Sequence, residues 1–193
     1  MTRRIVLASS SPFRRGLLER LQLPFEAASP EVDEAPVEGE SPSALVRRLA
    51  LAKARALAGA YSDALIIGSD QCAVIGGRIL GKPGDHPGAR RQLALASGRR
   101  VSFHTGLCLL DAATAEPQVD EVLYHVCFRR LSEDRIERYL RRERPYNCAG
   151  SFRSEGLGIA LFERMEGDDP TALIGLPLIR LTAMLEAAGV EVL

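Results

Sequence analysis

The first part of the chain combines a short apolar run, a polar turn and an amphipathic stretch. Residues 4–8 are almost entirely apolar, which is typical of a buried strand. Three serines follow, and Ser11 as N-cap with Pro12 at the first helical position predicts a helix start. Phe13 and Leu17 begin the apolar stripe of that helix. The pattern therefore predicts a strand, a serine turn and a helix.

Strand and helix patterns continue to alternate along the rest of the chain. Further strands are predicted at 25–28, 64–68, 101–110, 119–128 and shortly after 158, and further helices start at Pro42, cover 86–97, follow Ser132 and cover about 177–188. Residues 29–41 are rich in proline, glutamate and glycine and predict a loop, whereas Gly76 and Gly77 predict a hairpin turn. Helices between strands at both ends and a hairpin in the middle predict an α/β protein with a mixed sheet.

Length and composition narrow the class of protein. The chain has 193 residues, which suits a single domain over 1–193, and its 25 basic and 25 acidic side chains give a formal net charge of zero. Neutral charge argues against a nucleic-acid-binding protein, and no apolar run approaches the roughly 20 residues of a membrane span. Four widely spaced cysteines without a C-x-x-C motif favour free thiols. We therefore expect a cytoplasmic protein without nucleic-acid or membrane partners.

The serine turn is the first candidate binding site. A strand that runs through Ser9 and Ser11 into a helix presents backbone N–H groups at the positive end of the helix dipole, which is a ready anion site. Arg14 and Arg15 lie in the first helical turn, where the dipole disfavours cations by about 0.3–1 kcal/mol each. Either an anion binds between them, or both side chains simply point into water.

Two acidic positions are candidates for catalysis or metal binding. Asp70 comes just after the predicted strand 64–68, and ligands of α/β sheets bind at such strand ends, although turn aspartates are also common there. Glu31, Asp33 and Glu34 form an acidic cluster in a loop. Such a cluster either supplies oxygen ligands to Mg²⁺ or is merely solvated.

Seven short blocks resemble, in order and over essentially the whole chain, the Maf family of nucleoside triphosphate pyrophosphatases. The blocks are LASSSP at 7–12, VDE at 32–34, AKA at 52–54, GSDQ at 68–71, GKP at 81–83, TG at 105–106 and the AGSF block at 149–156. The resemblance implies a Maf/ITPase-like fold with a long bent mixed sheet, two lobes and a central cleft. It also implies cleavage between the α- and β-phosphates of a nucleotide, a divalent metal such as Mg²⁺ or Mn²⁺, and a homodimer.

The resemblance assigns roles to the charged residues. Asp70 falls on the position of the catalytic base, and Glu34, Lys53 and Lys82 fall on the other charged active-site positions. Glu34 and Asp70 are then the expected metal ligands. Lys53 and Lys82 are also the only lysines beside 23 arginines. Because an ammonium and a guanidinium are not interchangeable, that imbalance independently supports an active-site role for the pair.

The remaining assignments concern the phosphates and the base. Ser9 and Arg14 fall on the phosphate-binding turn of the family, and Ser11 and Arg15 belong to the same turn. Three further positions, Phe13, Gln71 and Glu155, resemble the subgroup that acts on 7-methyl-GTP, although that subgroup typically has tryptophan where this chain has Phe13.

The chemistry of the base agrees with that subgroup. Methylation at N7 makes guanine cationic, and a cation favours an aromatic face and a nearby carboxylate. Phe13 and Glu155 supply these groups, although Phe13 is also well placed to be a core residue of its helix. The expected function is hydrolysis of 7-methyl-GTP to 7-methyl-GMP and diphosphate. The alternatives are hydrolysis of canonical or other modified nucleotides such as dTTP, UTP or CTP, and a nucleotide-binding regulator that does not hydrolyse.

Overall fold

Strands of one mixed sheet form the centre of the fold. The computed structural model describes residues 3–193, so Met1 and Thr2 lie outside the described residues. Within 3–193 the strands are β1 (Ile5–Ala8), β2 (Glu26–Ala28), β3 (Leu65–Ile75), β4 (Arg78–Leu80), β5 (Arg100–Asp111), β6 (Glu116–Phe128) and β7 (Phe162–Glu166). Their order in the sheet is β2-β1-β3-β5-β6-β7, with β4 paired to β3. β1 is parallel to β2 and β3, whereas β4 and β7 are antiparallel to their neighbours, so the predicted mixed α/β sheet is confirmed.

The helices that follow Ser11, Ser41 and Ser132 begin where the capping signals of the sequence predicted. The helices of the fold are α1 (Pro12–Leu18), α2 (Pro42–Ala58), α3 (His86–Ala96), α4 (Glu133–Glu143), α5 (Pro170–Ile174) and α6 (Leu178–Ala187). Ser11, Ser41 and Ser132 each accept a hydrogen bond from a backbone N–H of the first helical turn, which satisfies one of the unpaired donors there. No helix within residues 3–193 is long and apolar enough to cross a membrane.

The chain divides into two compact units, and three strands run through the points of division. The first unit contains Met1–Asp70, Thr105–Val122 and Asp169–Leu193, and the second contains Gln71–His104 and Leu123–Asp168. Three of the four boundaries fall inside β3, β5 and β6, and the fourth lies between β7 and α5. Asp70 is therefore the last residue of the first unit along β3.

Both faces of the sheet are buried in the first unit. Successive residues of β1 belong in turn to two separate hydrophobic clusters, with Leu7 in one and Val6 in the other. Residues of β3 and β5 alternate between the two clusters in the same way. One cluster includes residues of α1 and α6, and the other includes residues of α2. A strand that is buried on both faces carries apolar side chains on both, which explains the continuous apolar runs of the sequence.

Two glycines allow α2 to lie directly against the strands. A Cβ atom on Gly68 of β3 would lie 2.0 Å from the backbone oxygen of Ala50, and one on Gly106 of β5 would lie 2.1 Å from that of Val46. Backbone atoms of a helix cannot yield to such a contact as a flexible side chain can. The approach of α2 to the sheet therefore depends on the absence of a side chain at both positions.

Edge-to-face aromatic pairs form part of the core of the second unit. The rings of Phe152 and Phe162 have centroids 4.8 Å apart, and Phe128 contacts both of these residues. Phe103 completes the group through Phe152, with their centroids 5.4 Å apart. The predicted hairpin turn is also confirmed, since the turn joins antiparallel β3 and β4.

Two features differ from the sequence-based expectation. The strand predicted at 64–68 continues as β3 to Ile75, so Asp70 lies within a strand and not beyond its end. Its neighbours Cys72 and Ala73 are buried, and they continue the strand past the polar residues. The short helix α5 was not predicted, because five residues are too few to show helical periodicity.

The close approach of α2 predicts that Gly68→Ala and Gly106→Ala lower stability, by roughly 1–3 kcal/mol or more, because the added methyl group overpacks the helix–sheet contact. Urea unfolding followed by circular dichroism measures this. Gly59→Ala is the matched control, because Gly59 has an ordinary helical φ of −66° and no atom lies within 4 Å of its added Cβ. Unfolding midpoints for the Gly68 and Gly106 variants equal to that of Gly59→Ala would contradict the prediction.

Candidate active site

A buried lysine joins two carboxylates in the first unit. Lys53 Nζ lies 2.6 Å from Asp70 Oδ1 and 2.6 Å from Glu34 Oε1. Lys53 is 6% exposed and Asp70 is 9% exposed, whereas the side chain of Glu34 is 54% exposed. Burying a cation is costly unless it is paired, and here both partners carry the opposite charge. The three residues form a compact charged cluster that is open to solvent on the Glu34 side.

The alternation of β3 places Asp70 against α2. Ile66 belongs to the cluster that includes residues of α2, and Gly68 contacts the backbone of that helix, so Asp70 points to the same side at the period of two. Lys53 follows Ala50, whose carbonyl approaches Gly68, by almost one helical turn. The ammonium of Lys53 therefore reaches the carboxylate of Asp70.

The loop that carries Glu34 is fastened to α2. Arg48 donates two hydrogen bonds to the carboxylate of Glu40, at 2.7 and 2.8 Å, and one to the backbone oxygen of Ala35 at 3.1 Å. The Arg48 guanidinium lowers the pKa of Glu40 to about 2. The carboxylate of Glu40 is therefore ionised at neutral pH, and the same helix positions both Glu34 and Lys53.

The serine turn is stabilised by its own side chains. Ser9 Oγ accepts a hydrogen bond from the backbone N–H of Ser11 at 3.1 Å, and Ser11 Oγ accepts one from Arg14 at 3.4 Å. Ser9 is buried and Ser11 is half-buried. These bonds fix the backbone between β1 and α1.

The two arginines of α1 have different environments. Arg14 is half-buried and its Nε donates to the backbone oxygen of Gly175 at 2.8 Å, whereas Arg15 is exposed. Burial lowers the pKa of Arg14, and the negative charges of Asp70 and Glu34 act in the opposite direction. The expectation that both arginines simply point into water is thus wrong for Arg14. A phosphate-binding role for Arg15 stays a prediction.

The residues expected to recognise the base lie on three elements. Phe13 is half-buried in the first turn of α1, and Gln71 follows Asp70 on β3. Glu155 belongs to the second unit and is exposed in the segment before Leu157. Lys82, one of the expected charged active-site residues, also belongs to the second unit and is exposed in the segment after β4. Of the expected site residues, Asp70 and Glu34 both contact Lys53 directly.

Helix α4 holds the segment that carries Glu155. The backbone N–H of Arg153 donates to the Tyr139 hydroxyl at 3.1 Å, and that of Leu157 donates to Glu143 Oε2 at 2.9 Å. Both ends of the segment are thereby attached to one helix of the second unit. Glu155 is thus exposed on a segment whose backbone is fixed on either side.

The carboxylates of Glu34 and Asp70 suit a magnesium-type ion. Among residues 3–193, no group of three or more His, Cys, Asp or Glu side chains is arranged to hold a metal ion. Mg²⁺, however, is usually bound by one or two carboxylates together with substrate phosphates and water. Lys53 contacts Oε1 of Glu34 and Oδ1 of Asp70, so the second oxygen of each carboxylate is not needed for that ion pair.

Sequence reasoning missed two residues that support the site. Ser69 is fully buried, and its hydroxyl lies 2.9 Å from the backbone oxygens of both Gly106 and Gly175. Gly175 ends α5 with a φ of +115°. The signal for α5 was present in the sequence, because Asp169-Pro170 is a helix start and Gly175 followed by Pro177 is a helix end.

The sequence model of the family described as "Maf-like protein" matches residues 4–188. The chain belongs to the Maf family. The charged cluster consists of Asp70, Lys53 and Glu34, and the active-site roles that the family resemblance assigns to them stay predictions.

Curated relatives are similar over nearly their entire length. A protein named 7-methyl-GTP pyrophosphatase from Alcanivorax borkumensis is 60% identical over 187 residues, which is 97% of this chain and 95% of the relative. Proteins of the same name from Nitrosococcus oceani and Pseudomonas aeruginosa are 56% and 57% identical, over 98% and 97% of this chain and 95% and 98% of the relatives.

A solved structure shares the fold at low sequence identity. The Ham1 protein of Staphylococcus aureus aligns with a TM-score of 0.54 at 14% identity, over 96% of this Maf chain and all of that chain. The expected Maf/ITPase-like α/β fold is thereby supported independently of sequence.

The short contacts of Lys53 predict that Lys53→Arg lowers kcat/KM by about tenfold to a hundredfold, because a planar guanidinium displaces the two carboxylates that the compact ammonium joins. Release of diphosphate from a nucleoside triphosphate measures the effect. Arg55→Lys is the control, because it exchanges the same two residue types at an exposed position of the same helix. Wild-type turnover by Lys53→Arg would contradict the importance of the ammonium geometry.

Proposed function

We propose that this protein hydrolyses 7-methyl-GTP between the α- and β-phosphates, giving 7-methyl-GMP and diphosphate. The observation that carries the proposal is the convergence of Asp70 and Glu34 on the buried Lys53. The near-full-length relatives that bear the name 7-methyl-GTP pyrophosphatase support the choice of substrate. Removal of modified nucleotides is the cellular role that fits this reaction.

The chemistry requires activation of water and neutralisation of charge. A water oxygen forms a bond to the α-phosphorus, the bond from that phosphorus to the bridging oxygen breaks, and diphosphate leaves. Asp70 orients the water and accepts its proton, since a carboxylate held by an ion pair keeps a fixed position. Lys53 and Arg14 offset the charge that builds up on the phosphate oxygens. For Lys82 the same role is assigned by the family resemblance alone.

The serine turn supports binding of the triphosphate. Ser9 and Ser11 fix the backbone before α1, and Arg14 extends from the first turn of that helix. The charges of Asp70 and Glu34 act on Arg14, so a phosphate bound by Arg14 would lie near the two carboxylates proposed to hold the metal. Arg15 is exposed in the same helical turn, and its phosphate-binding role is part of this proposal.

The substrate preference rests on the charge of the base. The methyl group on N7 makes the guanine cationic, so an aromatic face and a carboxylate favour 7-methyl-GTP over GTP. The resemblance to the 7-methyl-GTP subgroup assigns the aromatic ring to Phe13, the carboxylate to Glu155 and a neutral residue to Gln71, directly after Asp70 in the sequence. Cation–π attraction of about 0.5–2 kcal/mol corresponds to a preference of roughly twofold to thirtyfold.

A divalent metal is part of the proposal. Glu34 and Asp70 are the residues that would hold Mg²⁺ or Mn²⁺ together with phosphate oxygens and water. When bound, such an ion neutralises phosphate charge and increases the acidity of water. The cytoplasmic location and the homodimer expected from the family resemblance also remain predictions.

The substrate proposal predicts a higher kcat/KM for 7-methyl-GTP than for GTP, dTTP, UTP or CTP, measured as diphosphate release. GTP is the matched control, because it lacks only the methyl group and its charge. Glu155→Gln and Phe13→Ala are expected to reduce the ratio of 7-methyl-GTP to GTP turnover, and Phe13→Trp to increase it. Asp70→Asn is expected to abolish turnover of every nucleotide, whereas Asp63→Asn, at an exposed aspartate, is not.

Several results would count against parts of this proposal. A preference for dTTP, UTP or CTP would favour the alternative substrates, and full turnover by Asp70→Asn would remove its role as base. Tight binding of 7-methyl-GTP in calorimetry without any diphosphate release would favour a nucleotide-binding regulator.

Removal of divalent cations is a separate test. Turnover is expected to fall to background in excess EDTA and to return when Mg²⁺ or Mn²⁺ is added, because two carboxylates and the triphosphate form an oxygen-ligand site. Dialysis against EDTA followed by metal addition measures this with the same assay. Undiminished turnover in EDTA would show that the positive side chains are sufficient.

A further inference from the structure

One backbone carbonyl joins the helix that carries Arg14 to the strand that carries Asp70. The oxygen of Gly175, at the end of α5, accepts a hydrogen bond from Arg14 Nε at 2.8 Å and lies 2.9 Å from Ser69 Oγ. Ser69 directly precedes Asp70 on β3. All of these residues belong to the first unit.

Glycine is required at this position for two reasons. Its φ of +115° lies in a region that residues with a side chain rarely adopt. A Cβ atom at Gly175 would also lie 3.3 Å from Arg14 Nε and 3.7 Å from Nη2. A side chain here would strain the carbonyl that receives the guanidinium and would press against the guanidinium itself.

The turn around Gly175 is anchored by a buried carboxylate. Asp169 is 3% exposed, and its oxygens accept hydrogen bonds from Thr171 N at 2.9 Å, Thr171 Oγ1 at 2.5 Å and Ile179 N at 2.8 Å. Thr171 Oγ1 in turn accepts from Leu178 N at 2.8 Å. These bonds tie the start of α5 to the start of α6, so the residues between them, including Gly175, are held at both ends.

The hydrogen bond to the Gly175 carbonyl fixes the orientation of the Arg14 guanidinium. A guanidinium whose Nε is engaged has a fixed plane, and its Nη1 and Nη2 groups point away from Nε as a pair of donors. Such a pair matches two phosphate oxygens, and a side chain fixed in advance loses less conformational freedom on binding. Burial lowers the pKa of Arg14, and the negative charges of Asp70 and Glu34 act against that lowering.

We propose that Gly175 is a positioning residue, which orients the Arg14 guanidinium toward the diphosphate part of the substrate through its backbone carbonyl. The proposal rests on the proposed function, in which Arg14 binds the triphosphate. Ser69 shares the carbonyl and couples this arrangement to the strand that carries Asp70.

The test is a double-mutant cycle on Gly175→Ala and Arg14→Ala. Binding of inorganic diphosphate with Mg²⁺, measured by calorimetry, and kcat/KM for 7-methyl-GTP are the two readouts. Gly175→Ala is expected to weaken diphosphate binding and to lower kcat/KM by about tenfold or more. The same change made in the Arg14→Ala background is expected to have little further effect, because Gly175 acts through Arg14.

Gly189→Ala is the matched control for backbone strain. Gly189 follows α6, has a φ of +80° and has no atom within 4 Å of an added Cβ. It is expected to bind diphosphate and to turn over 7-methyl-GTP like the wild-type protein. Ser69→Ala keeps the test available if Gly175→Ala does not fold, because it alters the same carbonyl without straining the backbone, and its effect on diphosphate binding is likewise expected to vanish in Arg14→Ala.

The outcomes separate this inference from the proposed function. Unchanged diphosphate binding and turnover in Arg14→Ala would overturn the role of Arg14 as a phosphate ligand, and the positioning role with it. A large effect of Arg14→Ala together with wild-type behaviour of Gly175→Ala would overturn the positioning role alone. Effects of Gly175→Ala that add fully to those of Arg14→Ala, or that Gly189→Ala reproduces, would show a general structural defect and would also overturn it.

Discussion

The ion pair between Lys53 and Asp70 constrains how the first unit can be built. A lysine that is 6% exposed cannot be left without a partner, because an uncompensated buried charge costs several kcal/mol. Its partner must therefore face α2 from the sheet, and the helix must lie close enough for an ammonium to reach it. Gly68, two residues before Asp70 on the same face of β3, meets this need by allowing the backbone of α2 to approach. The pair, the glycine and the helix position thus depend on one another.

Local sequence signals were sufficient to predict the first helices and strands that carry the site. The serine caps fixed the starts of α1, α2 and α4, and the apolar runs fixed β1 and the first part of β3, because these signals act between residues that are neighbours in the chain. The polar residues at 69–71 were interpreted as the end of a strand, yet β3 continues through them. Their partners, such as Lys53 for Asp70 and Gly175 for Ser69, come from distant parts of the chain. Periodicity within one segment contains no information about such contacts.

The same distinction applies to the candidate site. The resemblance to the Maf family identified Asp70, Lys53 and Glu34. In the structure the ammonium of Lys53 lies 2.6 Å from a carboxylate oxygen of each of the other two. The resemblance did not identify Gly175, because a backbone carbonyl has no residue type by which a motif can recognise it. Its place between Asp169 and Pro177 marks a helix end, but its positive φ is shared by other glycines, such as Gly39 and Gly189. Residues that act through the backbone are therefore the ones that sequence reasoning finds last.

The environments of Lys53 and Arg14 give a physical reason for the unequal use of lysine and arginine. Lys53 joins two carboxylates through one atom, an arrangement that needs a compact charge with donors in several directions. Arg14 instead uses one nitrogen to meet a carbonyl and keeps two others for a second acceptor, which a single ammonium nitrogen cannot do with the same fixed geometry. This geometry is the physical reason why position 53 carries a lysine in a chain with 23 arginines, since a planar guanidinium does not meet both carboxylates through one atom.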